Sequence, residues 1–302
     1  MNHRLLVFGS AVALSLAGAA IAQQQPNWDA IQVTSQPIRP GVAVLFGNGG
    51  NIGVSYGEDG TLIVDDQFAP LVPKIQAAVA GLGASPVKYL VNTHWHFDHA
   101  GGNEPFGQAG AIIVAQTRVR DRLAAGGTVA GNTSPPAPKA ALPVITYDRG
   151  TTFHLNGDTI DLIHTGGGHT DGDTVVYWRK ANVLHTGDMM MHQAGFPFVD
   201  VSSGGNVEHL LVSLDQMIAM TNADTVVIPG HGPLATRADL IAWRTMIATA
   251  VERVAALKRA GRTMEQAKAA TPLAGLHSVT NAFVSQDAFL EAIWASLEAH
   301  GK

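Results

Sequence analysis

Four side chains able to bind a metal fall within six residues of one segment, Thr93-His94-Trp95-His96-Phe97-Asp98-His99. His94 and His96 are two apart, so on extended backbone they face the same side. Asp98 and His99 follow where the chain must turn into Ala100-Gly101-Gly102-Asn103. Imidazole and carboxylate donors crowded at a strand end match zinc chemistry. Three later segments each put one further donor in a turn behind a strand-like run. His169 sits in Gly166-Gly167-Gly168-His169-Thr170, Asp188 follows Val183-Leu184-His185-Thr186-Gly187, and His231 follows Val226-Val227-Ile228-Pro229-Gly230. Alone, each of these reads as a structural turn. With the first motif they make seven donors, His94, His96, Asp98, His99, His169, Asp188 and His231, a number suited to two metals sharing one carboxylate. His164 and His185 lie on strand-like runs and read as core or orienting residues. Trp95, His192, Phe196 and Phe198 are candidates for a pocket wall.

The elements that must position these donors are legible in the apolar pattern. Short apolar runs at 42–46, 52–56 and 61–64, separated by Gly and Asn/Asp turns, read as a strand meander. A helix is expected over 71–82, with Pro73 in its first turn. Strand 89–91 runs directly into the first donor motif; strand 112–114 and helix 117–125 follow. Residues 126–143, rich in Gly, Pro and Ala, read as a long loop, either a lid or disordered. The second half repeats the plan, with strands at 152–155, 159–164, 174–178, 182–185 and 225–228 and helices at 207–220, 237–260 and 285–299. Asn156-Gly157 is a hairpin turn. Strands followed by helices in each half suggest layered sheets flanked by helices, whose strand ends can gather on one edge.

Composition narrows the chemistry. The chain has 302 residues, 13 His and no Cys, with net charge −5, 46% hydrophobic and 14% charged residues. No disulfide, thiol nucleophile, thiolate zinc site or iron–sulfur cluster is possible. Mild acidity argues against a nucleic-acid surface. Residues 1–22 read as a secretory signal peptide: Arg4, then an apolar stretch, then Ala20-Ile21-Ala22 before Gln23. The expectation is therefore a periplasmic or secreted protein, with no membrane span once the signal is removed and a small molecule as its substrate.

The order and spacing of the donor motifs resemble the metallo-β-lactamase superfamily over about residues 41–235. The resemblance implies an α/β fold, a four-layer αββα sandwich of two mixed β-sheets flanked by helices. It would fill residues 23–302, with a motif core at 41–235 and C-terminal helices at 236–302. It also implies that His94, His96 and His169 hold one zinc, that Asp98, His99 and His231 hold the other, and that Asp188 bridges the two. Asp65, after Leu62-Ile63-Val64, matches the family's acidic residue behind the site and would orient a ligand His. The implied reaction is attack of a metal-bound hydroxide, oriented by Asp98, on an activated acyl bond in a cyclic amide or ester such as a β-lactam or lactone. Asp188 resembles the bridging residue of hydroxyacylglutathione thioesterases and lactonases more than that of true β-lactamases. Thioester or phosphoester hydrolysis and mononuclear-iron oxidoreductase chemistry remain open, as does a non-catalytic binding role. Iron or manganese could stand in for zinc. Specificity would lie in loops 126–143 and 189–205.

Overall fold

The computed structural model describes residues 26–280 and 282–299; the signal peptide expected at 1–22 lies outside them. The first half builds a seven-stranded sheet. Its strands are β1 Thr34–Arg39, β2 Val42–Phe46, β3 Ile52–Ser55, β4 Thr61–Val64, β5 Val87–Asn92 and β6 Ile112–Gln116. After a separate hairpin, β7 Gly127–Val129 and β8 Asn132–Ser134, β9 Ile145–Tyr147 completes the sheet beside β6. The first four strands pair antiparallel, and β4, β5, β6 and β9 pair parallel. The second half builds a six-stranded sheet from β10 Gly150–Leu155, β11 Asp158–His164, β12 Thr174–Trp178, β13 Val183–His185, β14 Val226–Ile228 and β15 Ala235–Thr236. All its neighbours are antiparallel except β13 and β14.

The helices are α1 Val72–Gly81, α2 Phe97–Ala100, α3 Asn103–Gln108, α4 Thr117–Ala125, α5 Val207–Met220, α6 Arg237–Arg259, α7 Met264–Ala269 and α8 Gln286–Ala299. Three hydrophobic layers hold the four structural layers together. Along β2, Val42 and Val44 face the second sheet and pack with Leu162, Val176 and Trp178, while Ala43 and Leu45 face α1 and pack with Ile75 and Val79. Both faces are covered, which is why these strands read as continuous apolar runs rather than alternating ones. The outer face of the second sheet packs on α5, α6 and α8 through Leu184, Val227, Leu214, Ile247 and Phe289. This is the expected sandwich of mixed sheets between helices.

Strand direction positions the chemistry. Parallel β4 and β5 end on the same edge, as do β11, β13 and β14 in the second sheet. The sheets are tied at that edge by Thr174 N–H donating to the Thr93 carbonyl at 2.9 Å. Residues 126–143 differ from the expected loop. They contain the β7–β8 hairpin and a 3₁₀ turn, Lys139–Ala141, which buries Ala141. Among the described residues no helix is long and apolar enough to cross a membrane.

Candidate metal centre

The centre begins where β4 and β5 end. Asp65 takes a left-handed φ of 67°, which costs a non-glycine residue strain and is tolerated only where its surroundings fix it. The turned backbone aims its buried carboxylate at β5. One oxygen accepts from Thr93 N–H at 2.7 Å; the other accepts from the Thr93 hydroxyl at 2.7 Å and from His99 Nδ1 at 2.7 Å. The Thr93 hydroxyl has only one proton and gives it to Asp65. His94 Nδ1, 3.0 Å away, must therefore be the donor to Thr93 Oγ1. That leaves a lone pair on His94 Nε2, which is buried and has no hydrogen-bond partner.

The same logic fixes the next two imidazoles. His96 Nε2 donates to Asp200 Oδ2 at 3.0 Å, and His169 Nδ1 donates to the Phe198 carbonyl at 2.6 Å. Their remaining nitrogens, His96 Nδ1 and His169 Nε2, face each other at 2.9 Å with no proton left to share. Two opposed lone pairs repel unless a cation lies against them. The three rings stand nearly perpendicular, at 81°, 82° and 89° with centroids 4.6–4.7 Å apart, as three faces around a corner. Burial, reinforced by the neighbouring His96, pushes His169 down to about 4, so it stays neutral. Burial likewise holds His94 well below the usual imidazole range.

A second group opens beside the first. His99 Nε2 lies 3.2 Å from His231 Nε2, and His231 Nε2 lies 3.2 Å from Asp98 Oδ2. Asp188 reaches across both groups: 3.0 Å from His99, 3.4 Å from His231 and 3.7 Å from His169. Its Oδ1 receives no aligned hydrogen bond. His94, His99 and Asp188 also converge, which fuses the two groups. Here carboxylates set the protonation. Burial alone would push His99 down, but Asp188, Asp98 and Asp65 outweigh it and raise it well above its ordinary value. His231 rises to about 9, since Asp188 and Asp98 overcome its burial. A cation entering this half replaces the protons that the carboxylates otherwise keep on His99 and His231.

Glycines make the approach possible. A Cβ on Gly230 would lie 2.0 Å from Asp188 Oδ1, and one on Gly50 would lie 2.2 Å from His99 Cε1. All seven expected donors and Asp65 are thus gathered at one edge, and the orphaned nitrogens and carboxylate oxygen fit a metal. A family model described as the metallo-β-lactamase superfamily matches residues 46–231. The chain belongs to this superfamily. It is a metallohydrolase of that group with a His/Asp metal-binding cluster. At 20% identity and a TM-score of 0.61, the structure is similar to a metallo-β-lactamase from Pontibacter korlensis, covering 72% of this chain and 99% of that one; this likeness concerns the fold alone. A probable metallo-hydrolase of Bacillus subtilis, YqgX, is 29% identical over 57% of this chain and 83% of its own length. A hydroxyacylglutathione hydrolase of Haemophilus influenzae, GloC, is 27% identical over 50% of this chain and 71% of its own.

Several residues that serve this metallo-β-lactamase-type centre carried no sequence signal of their role. Asp200 accepts from His96, from the Ser203 N–H at 3.2 Å and from the hydroxyls of Ser202 and Ser203. Burial would raise it, but these donors hold it well below the ordinary carboxylate range. Asp173 receives the His169 N–H at 2.7 Å and fixes that turn, while Asn51 clamps the His231 turn by donating to the Pro229 and Gly232 carbonyls at 2.8 Å each. His185 is an orienting residue, as expected: its Nε2 donates to the Asn51 carbonyl at 2.9 Å. His164 similarly holds the Asp173 carbonyl at 2.7 Å.

Of the four candidates for a pocket wall, only Phe198 lines the cavity above the centre. Trp95 packs beneath it with Ala115 and Val119, Phe196 stacks on Phe289 in the core, and His192 bonds the Pro233 carbonyl elsewhere. Nearness in sequence to a ligand did not place these three in the cavity wall: even Trp95, between His94 and His96, packs instead with Ala115 and Val119.

Proposed function

We propose that the chain is an exported dinuclear zinc hydrolase acting on an activated acyl bond. The observation that carries this reading is the set of imidazole nitrogens that the surrounding hydrogen bonds leave without a proton, His94 Nε2 with no partner and His96 Nδ1 and His169 Nε2 facing each other, beside a carboxylate-rich second group that Asp188 spans. His94, His96 and His169 would hold one ion, Asp98, His99 and His231 the other, with Asp188 shared. Two divalent ions would supply Lewis acidity and a water ionised near neutral pH. The protein supplies the rest. Asp65 and Asp200 hold His99 and His96 in one tautomer each. Asp98, about a fifth exposed to the cavity, would orient the attacking water. His231, also partly exposed, stands on the side from which the substrate enters. Five imidazoles and two carboxylates suit zinc. The acyl-bond reading draws on the activity named for the Haemophilus relative.

Metal analysis of the purified protein tests this reading. About two zinc per chain are expected, with hydrolysis of a cephalosporin, a lactone or a thioester lost on chelation and restored by zinc. One iron per chain, or activity confined to a phosphodiester, would overturn it. N-terminal sequencing of protein from the periplasmic fraction should begin at Gln23.

A further inference from the structure

We infer that the site takes a substrate with an apolar acyl group and rejects one whose acyl end carries a free carboxylate. This rests on the hydrolase reading above. A cavity of about 560 Å³ lies over the centre, reaching His96, Asp98, Asp188 and His231. These four are its only acidic or basic side chains among the described residues; no Lys or Arg lines it. Asn48 and Asn132 add only neutral amides.

The walls are aromatic. Phe68 and Phe97 stand on one side with centroids 6.0 Å apart; Phe198 and Phe283 stand on another, edge to face at 5.9 Å and 86°. Phe198 lies 5.8 Å from the His96 ring and 5.6 Å from His169, so this wall starts at the centre and leads outward. A substrate carbonyl held at the centre would lay its acyl chain along that wall. At its outer end Phe283 is 70% exposed, an unusual state for a large aromatic ring and one that an apolar ligand would relieve. A carboxylate in the same place would give up water and meet only ring faces, which carry partial negative charge, with no Lys or Arg on the wall to pair it. The hydrolysis is balanced at the other end. Water adds to the carbonyl, the acyl–oxygen bond breaks, the alcohol leaves with a proton, and the new carboxylate forms at the metal-binding cluster rather than along the wall.

The test compares 4-nitrophenyl pentanoate with 4-nitrophenyl hydrogen glutarate on the zinc-loaded protein. The two esters share the scissile bond and chain length and differ in a terminal methyl against a terminal carboxylate. The pentanoate should have a kcat/KM on the order of 100-fold higher, as for other apolar pockets that meet a polar isostere. Phe283→Ala should raise KM for the pentanoate about tenfold, chiefly through lost ring burial, and Ala130→Lys at the hairpin tip should raise kcat/KM for the glutarate. Equal kcat/KM, or a preference for the glutarate, would overturn the inference. If neither ester is hydrolysed, the acyl-bond reading falls, and calorimetric titration with the anilides of the same acids decides the inference alone. Tighter binding of the pentanoic anilide upholds it; equal or weaker binding refutes it.

Discussion

The two ends of the sandwich carry cavities of similar size and opposite character. At the end away from the metal centre, the turns 40–41, 57–59, 156–158 and 180–182 enclose about 670 Å³, the larger of the two spaces. Its Asp59 and Asp158 carboxylates are already spent on the fold. Asp158 accepts the backbone N–H groups of Thr159, Lys180 and Ala181 at 2.7–2.9 Å, and Asp59 and Asn156 exchange bonds with each other's backbone at 2.7 and 3.1 Å. No buried side-chain polar atom lining that cavity lacks a hydrogen-bond partner, whereas the metal end holds His94 Nε2 with none and Asp188 Oδ1 with only its ion pair to His99. Buried polar groups are normally satisfied, so directed atoms left open mark the working end where volume does not.

The largest test of this contrast removes an open atom. His94→Ala deletes the orphan nitrogen and one corner of the three-ring group. Hydrolysis should fall on the order of 1000-fold, with close to one metal lost per chain by elemental analysis. A variant with full metal content and full turnover would erase the distinction between the two ends.

Next in size is a change that adds atoms. Gly230→Ala would set a methyl 2.0 Å from Asp188 Oδ1 and 2.7 Å from the Gly187 backbone, which cannot move aside cheaply. Metal affinity should drop on the order of 100-fold and stability by ~1–3 kcal/mol, read by metal-buffered titration and urea unfolding. Gly81→Ala is the matched control. It lies at the last position of α1 with nothing within 4 Å of a new Cβ, and the same methyl there should stabilise by roughly 0.5 kcal/mol.

Smaller again is Asp200→Asn. An amide can turn its oxygen toward His96 Nε2–H but accepts the surrounding hydroxyls less well than a carboxylate. About tenfold weaker metal binding is expected, with the fold intact by circular dichroism. Asp65→Asn should cost more, because the Asp65 carboxylate serves three donors, including the hydroxyl that sets the His94 tautomer. If both variants bind metal like the unaltered protein, tautomer control by buried carboxylates is not part of the centre.

The same contrast explains what could be read from the sequence. Strands 42–46, 61–64 and 174–178 coincide with the observed elements because both faces are buried, leaving a continuous apolar signature. The edge strands β1 and β9 escaped notice for the opposite reason: Thr34–Arg39 is almost wholly exposed and carries Pro37, and Ile145–Tyr147 buries only its last residue. The donors were legible because imidazoles two and three apart at a strand end are rare. Asp200 and Asn51 were not, since a polar residue capping a turn looks alike whether or not its far side holds a ligand. Asp200 caps a 3₁₀ turn and also meets a histidine 104 residues away. Phe283 gave no sign because its neighbours across the cavity come from distant segments.

The smallest expected effect on turnover comes from the end with no open atoms. Asp158→Ala removes the acceptor for three backbone N–H groups. The Lys180 donor is exposed and the other two are only partly buried, so water can take over part of the work. The cost should sit near the low end for lost hydrogen bonds, about 1–2 kcal/mol, a fall of a few degrees in Tm for a chain of this size. Metal content and kcat/KM per folded chain should stay unchanged, because Asp158 begins β11 and the donor-bearing turn lies past the other end of that strand. A loss of turnover larger than the loss of folded protein would mean that the far cavity is coupled to the centre.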